Sequence, residues 1–73
     1  MPSRTPYERI AATLRDKIEA GEYPPGSRLP PQRELAQSFG AAGETVRRAI
    51  AQLQADGLVE TRRQHGTFVQ TRA

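Results

Sequence analysis

Apolar residues recur along the chain at spacings of three and four, separated by polar ones, which is the pattern of helices with one buried face. The first such stripe consists of Tyr7, Ile10, Leu14 and Ile18. Thr5 before it is a helix-capping residue, Pro6 suits the first helical position, and Glu8 stands three residues after the cap. The pattern therefore predicts a first helix that begins at Pro6 and is stopped by Gly21 in a left-handed conformation.

Two more helical stripes follow a proline-rich turn at residues 23–27. The second helix is predicted over 29–40, with Leu35, Ala36 and Phe39 facing inward and Gly40 ending it. The third is predicted over about 44–56, with the inward stripe Val46, Ala49, Ile50 and Leu53. About three residues separate these two helices, so they cannot lie antiparallel and must cross at a steep angle, as in a helix-turn-helix.

A hairpin is predicted after the third helix. Residues 58–62 and 67–71 have the pattern of two short strands, and the sequence RQHG between them is typical of a turn. With 73 residues, the chain has room for one domain. The predicted fold is therefore mainly α with a small β-hairpin wing: a three-helix winged helix-turn-helix over residues 1–73.

Composition argues against several classes of function. The sequence has no cysteine and one histidine, so it offers neither a disulfide framework nor a thiolate metal site. It contains no phosphate-binding glycine loop and no paired carboxylates at a plausible pocket, so we expect a protein that is not an enzyme and needs no cofactor. Its longest apolar runs are two or three residues, far short of a membrane span, so we expect a cytoplasmic protein.

The charge distribution points to a polyanionic partner. Eleven basic and eight acidic residues give a formal net charge of +3, and after residue 46 there are five arginines but only two acidic residues. On the third helix the inward stripe leaves Thr45, Arg48 and Gln52 facing outward, with Glu44 and Arg47 on the flanks. The major groove of DNA admits such a helix, whose first turns then meet base edges and phosphates.

From Tyr7 to Val69 the chain resembles the N-terminal winged helix-turn-helix of GntR-type bacterial transcriptional regulators. The motifs that carry the resemblance are PGS, LP and REL, followed by TVRRAI, DGLV and GTFV. The resemblance implies the DNA-binding domain of a repressor, with double-stranded operator DNA as its partner. It also implies a larger C-terminal domain, absent from these residues, that binds a small effector and makes the regulator a homodimer.

The resemblance also implies which residues contact DNA. Arg33, early in the second helix, and Arg47, in the TVR motif, would contact the operator, and Thr45 would bind phosphate. The wing, residues 62–67, would lie in or beside the minor groove with Arg63, Gln64, His65 and Gly66. The helical pattern alone turns Arg48 outward more than Arg47. The resemblance favours Arg47, because a recognition helix enters the groove by its N-terminal end.

Four positions depart from the family pattern. Pro31 and Ala42 stand where the family has serine, so both helices that follow are predicted to lack a side-chain cap. Gly43 replaces an arginine that commonly contacts DNA, and it allows the helix end to approach the DNA backbone closely. Gln64 replaces a glycine in the wing. The roles of Arg33 and Arg47 survive these changes, but an operator sequence cannot be transferred from other members.

Each candidate residue has a structural alternative. Arg47 and Arg48 would otherwise be solvated helix positions, and Arg33 would otherwise pair with Glu34 or Glu8. Glu44 either complements the helix dipole in the first turn or accepts a hydrogen bond from a cytosine amine. His65 would be an exposed turn residue that faces DNA without a chemical role. The alternative function is a winged helix that binds another protein, which requires an exposed apolar patch on the third helix.

Overall fold

The computed structural model describes residues 5–70, which form three helices and one hairpin. The helices are α1 (Pro6–Glu19), α2 (Gln32–Phe39) and α3 (Gly43–Ala55), and the strands are β1 (Val59–Arg62) and β2 (Gly66–Val69). The strands pair antiparallel, from Val59 opposite Val69 to Arg62 opposite Gly66. The predicted order of elements is confirmed. Thr71, predicted at the end of the second strand, lies outside the described residues.

Local sequence determines where α1 starts and stops. The Glu8 backbone N–H donates to the Thr5 hydroxyl oxygen at 3.4 Å, and the Thr5 N–H donates to Glu8 Oε1 at 2.9 Å, so the predicted capping box is present. Pro6 occupies the first turn of the helix. A backbone N–H at this position would have no acceptor within the helix, so its absence in proline costs no hydrogen bond. After the C-cap residue Ala20, Gly21 has a φ of 85° and ends the helix as predicted.

The core lies between α1, α2 and α3 and extends to the base of the wing. Its buried side chains are Ile10, Ala11, Leu14, Leu29, Leu35, Val46, Ala49, Ile50, Leu53, Val59 and Val69. Burial of a valine, leucine or isoleucine side chain contributes about 1.5–3 kcal/mol. All four inward residues predicted for α3 are in this core, and they determine which face α3 turns to solvent.

Helix α2 starts later than the sequence predicts. It begins at Gln32 rather than Leu29, because Pro30 disfavours helical geometry in the residue before it and Pro31 takes the N-cap position with a φ of −58° and a ψ of 153°. Leu29 is instead buried beside the wing, where its N–H donates to the Thr67 carbonyl at 2.8 Å. The segment just before α2 is therefore extended and packs as part of the hairpin.

The remaining elements lie within two residues of their predicted bounds. Residues 40–42 connect α2 to α3, as predicted, and Gly40 ends α2 in a left-handed conformation with a φ of 62°. Among residues 5–70, the helices are all too short or too polar to span a membrane.

Candidate nucleic-acid interface

The starts of α2 and α3 both lack a side-chain cap. Ala42 holds the N-cap position of α3 with a φ of −70° and a ψ of 150°, and no side chain hydrogen-bonds to the first N–H groups. Pro31, the N-cap of α2, likewise provides no side-chain hydrogen bond. The loss of both caps predicted from the sequence is therefore confirmed. Uncapped N–H groups at the start of a helix are donors for an anion such as phosphate.

Gln32 joins these two helix ends. Its Nε2 donates to the Gly43 carbonyl at 3.0 Å, and a Cβ atom at position 43 would lie 3.3 Å from the same nitrogen. Arg33, the next residue, is exposed and forms no ion pair with any acidic residue among residues 5–70. Its charge is therefore available to a ligand. Sequence reasoning missed Gln32, because its role depends on how α2 crosses α3.

Arg47 lies on the second turn of α3. Its guanidinium forms an ion pair with Glu44, three residues earlier, and the two side chains are 66% and 62% exposed. An ion pair this exposed contributes at most about 1 kcal/mol of stability. A ligand can therefore replace Glu44 as the partner of Arg47 at a small cost in free energy. Glu44 also lies in the first turn, where the helix dipole favours a negative charge. The structure thus brings these two predicted site residues together.

Arg48 is held against α1. Its guanidinium carbon lies 5.0 Å from the centroid of the Tyr7 ring, in a cation–π contact. Arg48 is exposed, as the helical pattern predicts, but Arg47 is exposed as well, and only the charge of Arg48 contacts the aromatic ring of another helix. Thr45, also predicted to face outward, is half-buried, and together with Arg9 it lines a hollow beside the turn between α2 and α3.

The exposed face of α3 is polar and charged. Its residues are Glu44, Arg47, Arg48, Ala51, Gln52, Gln54 and Ala55. Gln52 donates to Asp56 Oδ1 at 3.2 Å, and Asp56 also pairs with Arg15 of α1. This face does not provide the apolar patch that a protein-binding winged helix requires.

The wing turn presents three exposed polar side chains in succession, Arg63, Gln64 and His65. The His65 N–H donates to the Arg62 carbonyl at 3.0 Å and closes the turn. Gln64 has a φ of 68°, and among residues 5–70 it is the one non-glycine residue with a left-handed backbone. This conformation explains why the family pattern has a glycine here, because glycine adopts it without steric cost.

A cleft of about 500 Å³ separates α3 from the wing. This wing cleft has seven polar or glycine residues in its wall, namely Arg28, Gln32, Arg47, Gln54, Thr61, Gly66 and Thr67. The Thr61 hydroxyl donates to Gln54 Oε1 at 3.2 Å and so fixes β1 to the second half of α3. Helix α3 and the wing therefore line the same cleft. Sequence reasoning missed Arg28, Gln54 and Thr61, because their contacts exist only once the hairpin has folded back.

The polar side chains of the described part of the chain all reach solvent. Among residues 5–70, no polar or charged side chain is buried. The same residues contain no group of three or more histidine, aspartate or glutamate side chains placed to hold a metal ion.

Known regulators match most of the chain. Residues 6–69 match the family described as "Bacterial regulatory proteins, gntR family". Over 62 residues the chain is 47% identical to the "Uncharacterized HTH-type transcriptional regulator Rv0494" of Mycobacterium tuberculosis (strain ATCC 25618 / H37Rv), covering 85% of this chain and 26% of that protein. Over 67 residues it is 42% identical to the "Uxu operon transcriptional regulator" of Escherichia coli (strain K12), covering 92% of this chain and 26% of that protein. The chain thus spans about a quarter of the length of these relatives.

Solved structures share the fold. The structure described as "Crystal Structure of AraR(DBD) in complex with operator ORX1" has a TM-score of 0.89 and 31% identity to this chain, covering 92% of it and 81% of that chain. The predicted winged helix-turn-helix fold and the resemblance to GntR-type regulators are therefore confirmed. The DNA contacts of individual residues stay predictions.

Proposed function

Because the chain belongs to the gntR family of bacterial regulatory proteins, we propose that it is the operator-binding domain of a transcriptional repressor and binds double-stranded DNA with sequence preference. The observation that carries this proposal is the exposed, polar N-terminal half of α3, with Arg47 held there by a weak ion pair. The likeness to an AraR domain described with operator DNA supports the same ligand.

Helix α3 enters the major groove by its N-terminal end. Arg47 donates to the O6 and N7 atoms of a guanine, the pairing that best matches the planar fork of its guanidinium. Glu44 keeps that guanidinium pointed along the helix start until DNA replaces it as the partner. Gly43, which has no side chain, allows the first turn to lie close to the DNA backbone.

Contacts to phosphate surround this base contact. Arg33 lies near the uncapped start of α2 and has no competing ion pair among residues 5–70. Thr45 contributes a hydroxyl beside the turn between α2 and α3, and Arg48 contributes charge from its position over Tyr7. These contacts position the domain without reading sequence.

The wing lies in or beside the minor groove. Arg63, Gln64 and His65 are its exposed residues, and Gly66 ends the turn. An arginine inserted there responds to groove width and negative potential more than to base identity. The wing therefore contributes affinity and orientation, while α3 contributes most of the sequence preference.

The whole regulator is a cytoplasmic homodimer that responds to a small effector. The family supports this proposal. The two similar regulators also support it, because this chain spans only about a quarter of their length. A symmetric dimer places two copies of the domain on a palindrome with half-site centres roughly 34–36 Å apart. The domain by itself meets one half-site only.

Binding-site selection from random duplexes, followed by anisotropy titrations of the 73-residue chain, tests the proposal. Since one domain contacts one half-site, we expect dissociation constants near 10⁻⁴–10⁻⁶ M, about the range of non-specific binding, with a steep dependence on salt. We also expect the selection to enrich a short motif that contains guanine. Binding that does not change with salt, or a selection that enriches no motif, would refute the proposal.

A further inference from the structure

Arg28 lies on a short extended segment that runs along strand β2. Hydrogen bonds between backbones hold this segment in place: the Gly26 N–H donates to the Val69 carbonyl at 2.9 Å, and the Val69 N–H donates to the Ser27 carbonyl at 2.8 Å. An isolated antiparallel bridge also pairs Arg28 with Phe68. The backbone of Arg28 is therefore fixed relative to the wing.

The side chain of Arg28 reaches the end of the wing turn. A Cβ atom built on Gly66 would lie 2.7 Å from Arg28 Nε and 3.3 Å from its Cζ. The guanidinium therefore lies directly over the backbone of Gly66, where no larger residue fits without displacing it. Gly66 also has a φ of 112°, which L side chains rarely adopt.

The charge of Arg28 has no partner within the described chain. Arg28 is exposed, and no acidic residue among residues 5–70 forms an ion pair with it. It shares the wing cleft with Arg47, and no aspartate or glutamate is among the residues that line the cleft. Arg28 and Arg47 thus face one open cleft without a lining carboxylate, although Arg47 is ion-paired with Glu44, and the unpaired charge of Arg28 attracts an anion.

From this arrangement we propose that Arg28 binds a backbone phosphate of the DNA, between the contacts of α3 and those of the wing. The proposal rests on the proposed function. A protein with a helix in the major groove and a wing in the minor groove must straddle the sugar-phosphate backbone that separates the two grooves. The wing cleft lies between α3 and the wing, so this backbone crosses it. A guanidinium is suited to the site because its fork can donate two hydrogen bonds to one phosphate.

The first test is the salt dependence of binding by Arg28→Gln, Arg28→Lys and the control Lys17→Gln. Lys17 lies near the C-terminal end of α1 and is absent from the wing cleft, so its replacement removes the same charge elsewhere. We expect Arg28→Gln to weaken binding to selected and random duplexes alike by about tenfold, since a charge-assisted hydrogen bond is lost. The slope of log K against log salt should fall by about one. Arg28→Lys should keep the slope, and Lys17→Gln should bind within about twofold of the unmodified chain, in keeping with a distant, screened charge.

The second test locates the contact on the DNA. Single methylphosphonates, which neutralise one phosphate at a time, are placed along the selected duplex. At one position the substitution should weaken the unmodified chain and Lys17→Gln but leave Arg28→Gln unaffected. Circular dichroism melts establish that each variant is folded. A folded Arg28→Gln that binds like Lys17→Gln, or that remains sensitive at every phosphate, would overturn the role of Arg28. Loss of DNA binding by the unmodified chain would instead refute the proposed function.

Discussion

The guanidinium of Arg48 lies over the ring of Tyr7, with its Cζ atom 5.0 Å from the ring centroid. The neighbouring Arg47 has a different environment, an exposed ion pair with Glu44 on its own helix. The two adjacent arginines on the recognition helix thus differ in the residues that their side chains contact. The contact with Tyr7 ties Arg48 to α1, while DNA can release Arg47 from its weak partner. From this difference we propose that Arg47 reads bases and that Arg48 has a supporting role.

Arg47→Ala should relax base preference. A bidentate contact between arginine and guanine discriminates against other bases by about 1–3 kcal/mol, so binding to the selected site should weaken by that amount and binding to random duplex much less. Competition titrations with both duplexes measure the difference. Equal losses on the two duplexes would show that Arg47 contacts phosphate only.

Arg63→Ala should behave in the opposite way. We propose that the wing contributes charge more than base reading, so the variant should lose affinity equally on all duplexes and its salt slope should fall by about one. Anisotropy titrations at four or more salt concentrations give the slope. A loss confined to the selected site would mean that the wing reads sequence.

Sequence alone locates those parts of the fold that local chemistry determines. The start of α1 follows from Thr5 and Glu8, three residues apart, which cap each other. The start of α2 is harder to predict, because the apolar Leu29 fits a helical stripe although its N–H is bonded to Thr67 of the wing. The side-chain pairing of Gln54 with Thr61 depends on the path of the hairpin relative to α3. Contacts of this kind, made across elements, are also those that shape the wing cleft.

Gln64→Gly should stabilise the domain, and Gln64→Val should destabilise it. Gln64 has a φ of 68°, and an L residue in this conformation loses about 1–2 kcal/mol relative to its preferred ones. Glycine relieves that strain but costs about 0.5–1 kcal/mol of backbone entropy, so the net gain should be up to about 1.5 kcal/mol. A β-branched valine suffers more in the left-handed region. Thermal melts of both variants check the prediction, and stabilities that change with the same sign would contradict it.

Ala42→Ser should raise the free energy of unfolding by about 0.5–2 kcal/mol. Ala42 already has the extended backbone of an N-cap, with a φ of −70° and a ψ of 150°, and only the side-chain acceptor is missing. The control is Ala51→Ser, the same change at an exposed position within α3, where a hydroxyl lowers helix propensity slightly. Urea unfolding should show a higher free energy of unfolding for Ala42→Ser and a slightly lower one for Ala51→Ser. An Ala42→Ser variant no more stable than Ala51→Ser would mean that the serine does not cap α3.

Gly43→Arg should strengthen binding to any duplex and reduce the preference for the selected site. A side chain at position 43 begins beside Gln32, which lines the wing cleft. Its Cβ atom would lie 3.3 Å from Gln32 Nε2, so Gln32 must shift by only a few tenths of an ångström. From there an added guanidinium reaches phosphate or guanine, so the salt slope should steepen by about one charge. The larger share of non-specific contacts then lowers the ratio of specific to random affinity.

The control for that change is Gly43→Ala, which meets Gln32 in the same way but adds no charge. It should leave the salt slope unaltered. Any change in affinity that it causes shows how strongly binding depends on the helix start lying close to the DNA backbone. The effect of charge is then the difference between the arginine and alanine variants, taken from anisotropy titrations on selected and random duplexes. If the two variants bind with the same affinity and the same slope, position 43 does not face DNA, and the placement of α3 with its N-terminal end in the major groove is wrong.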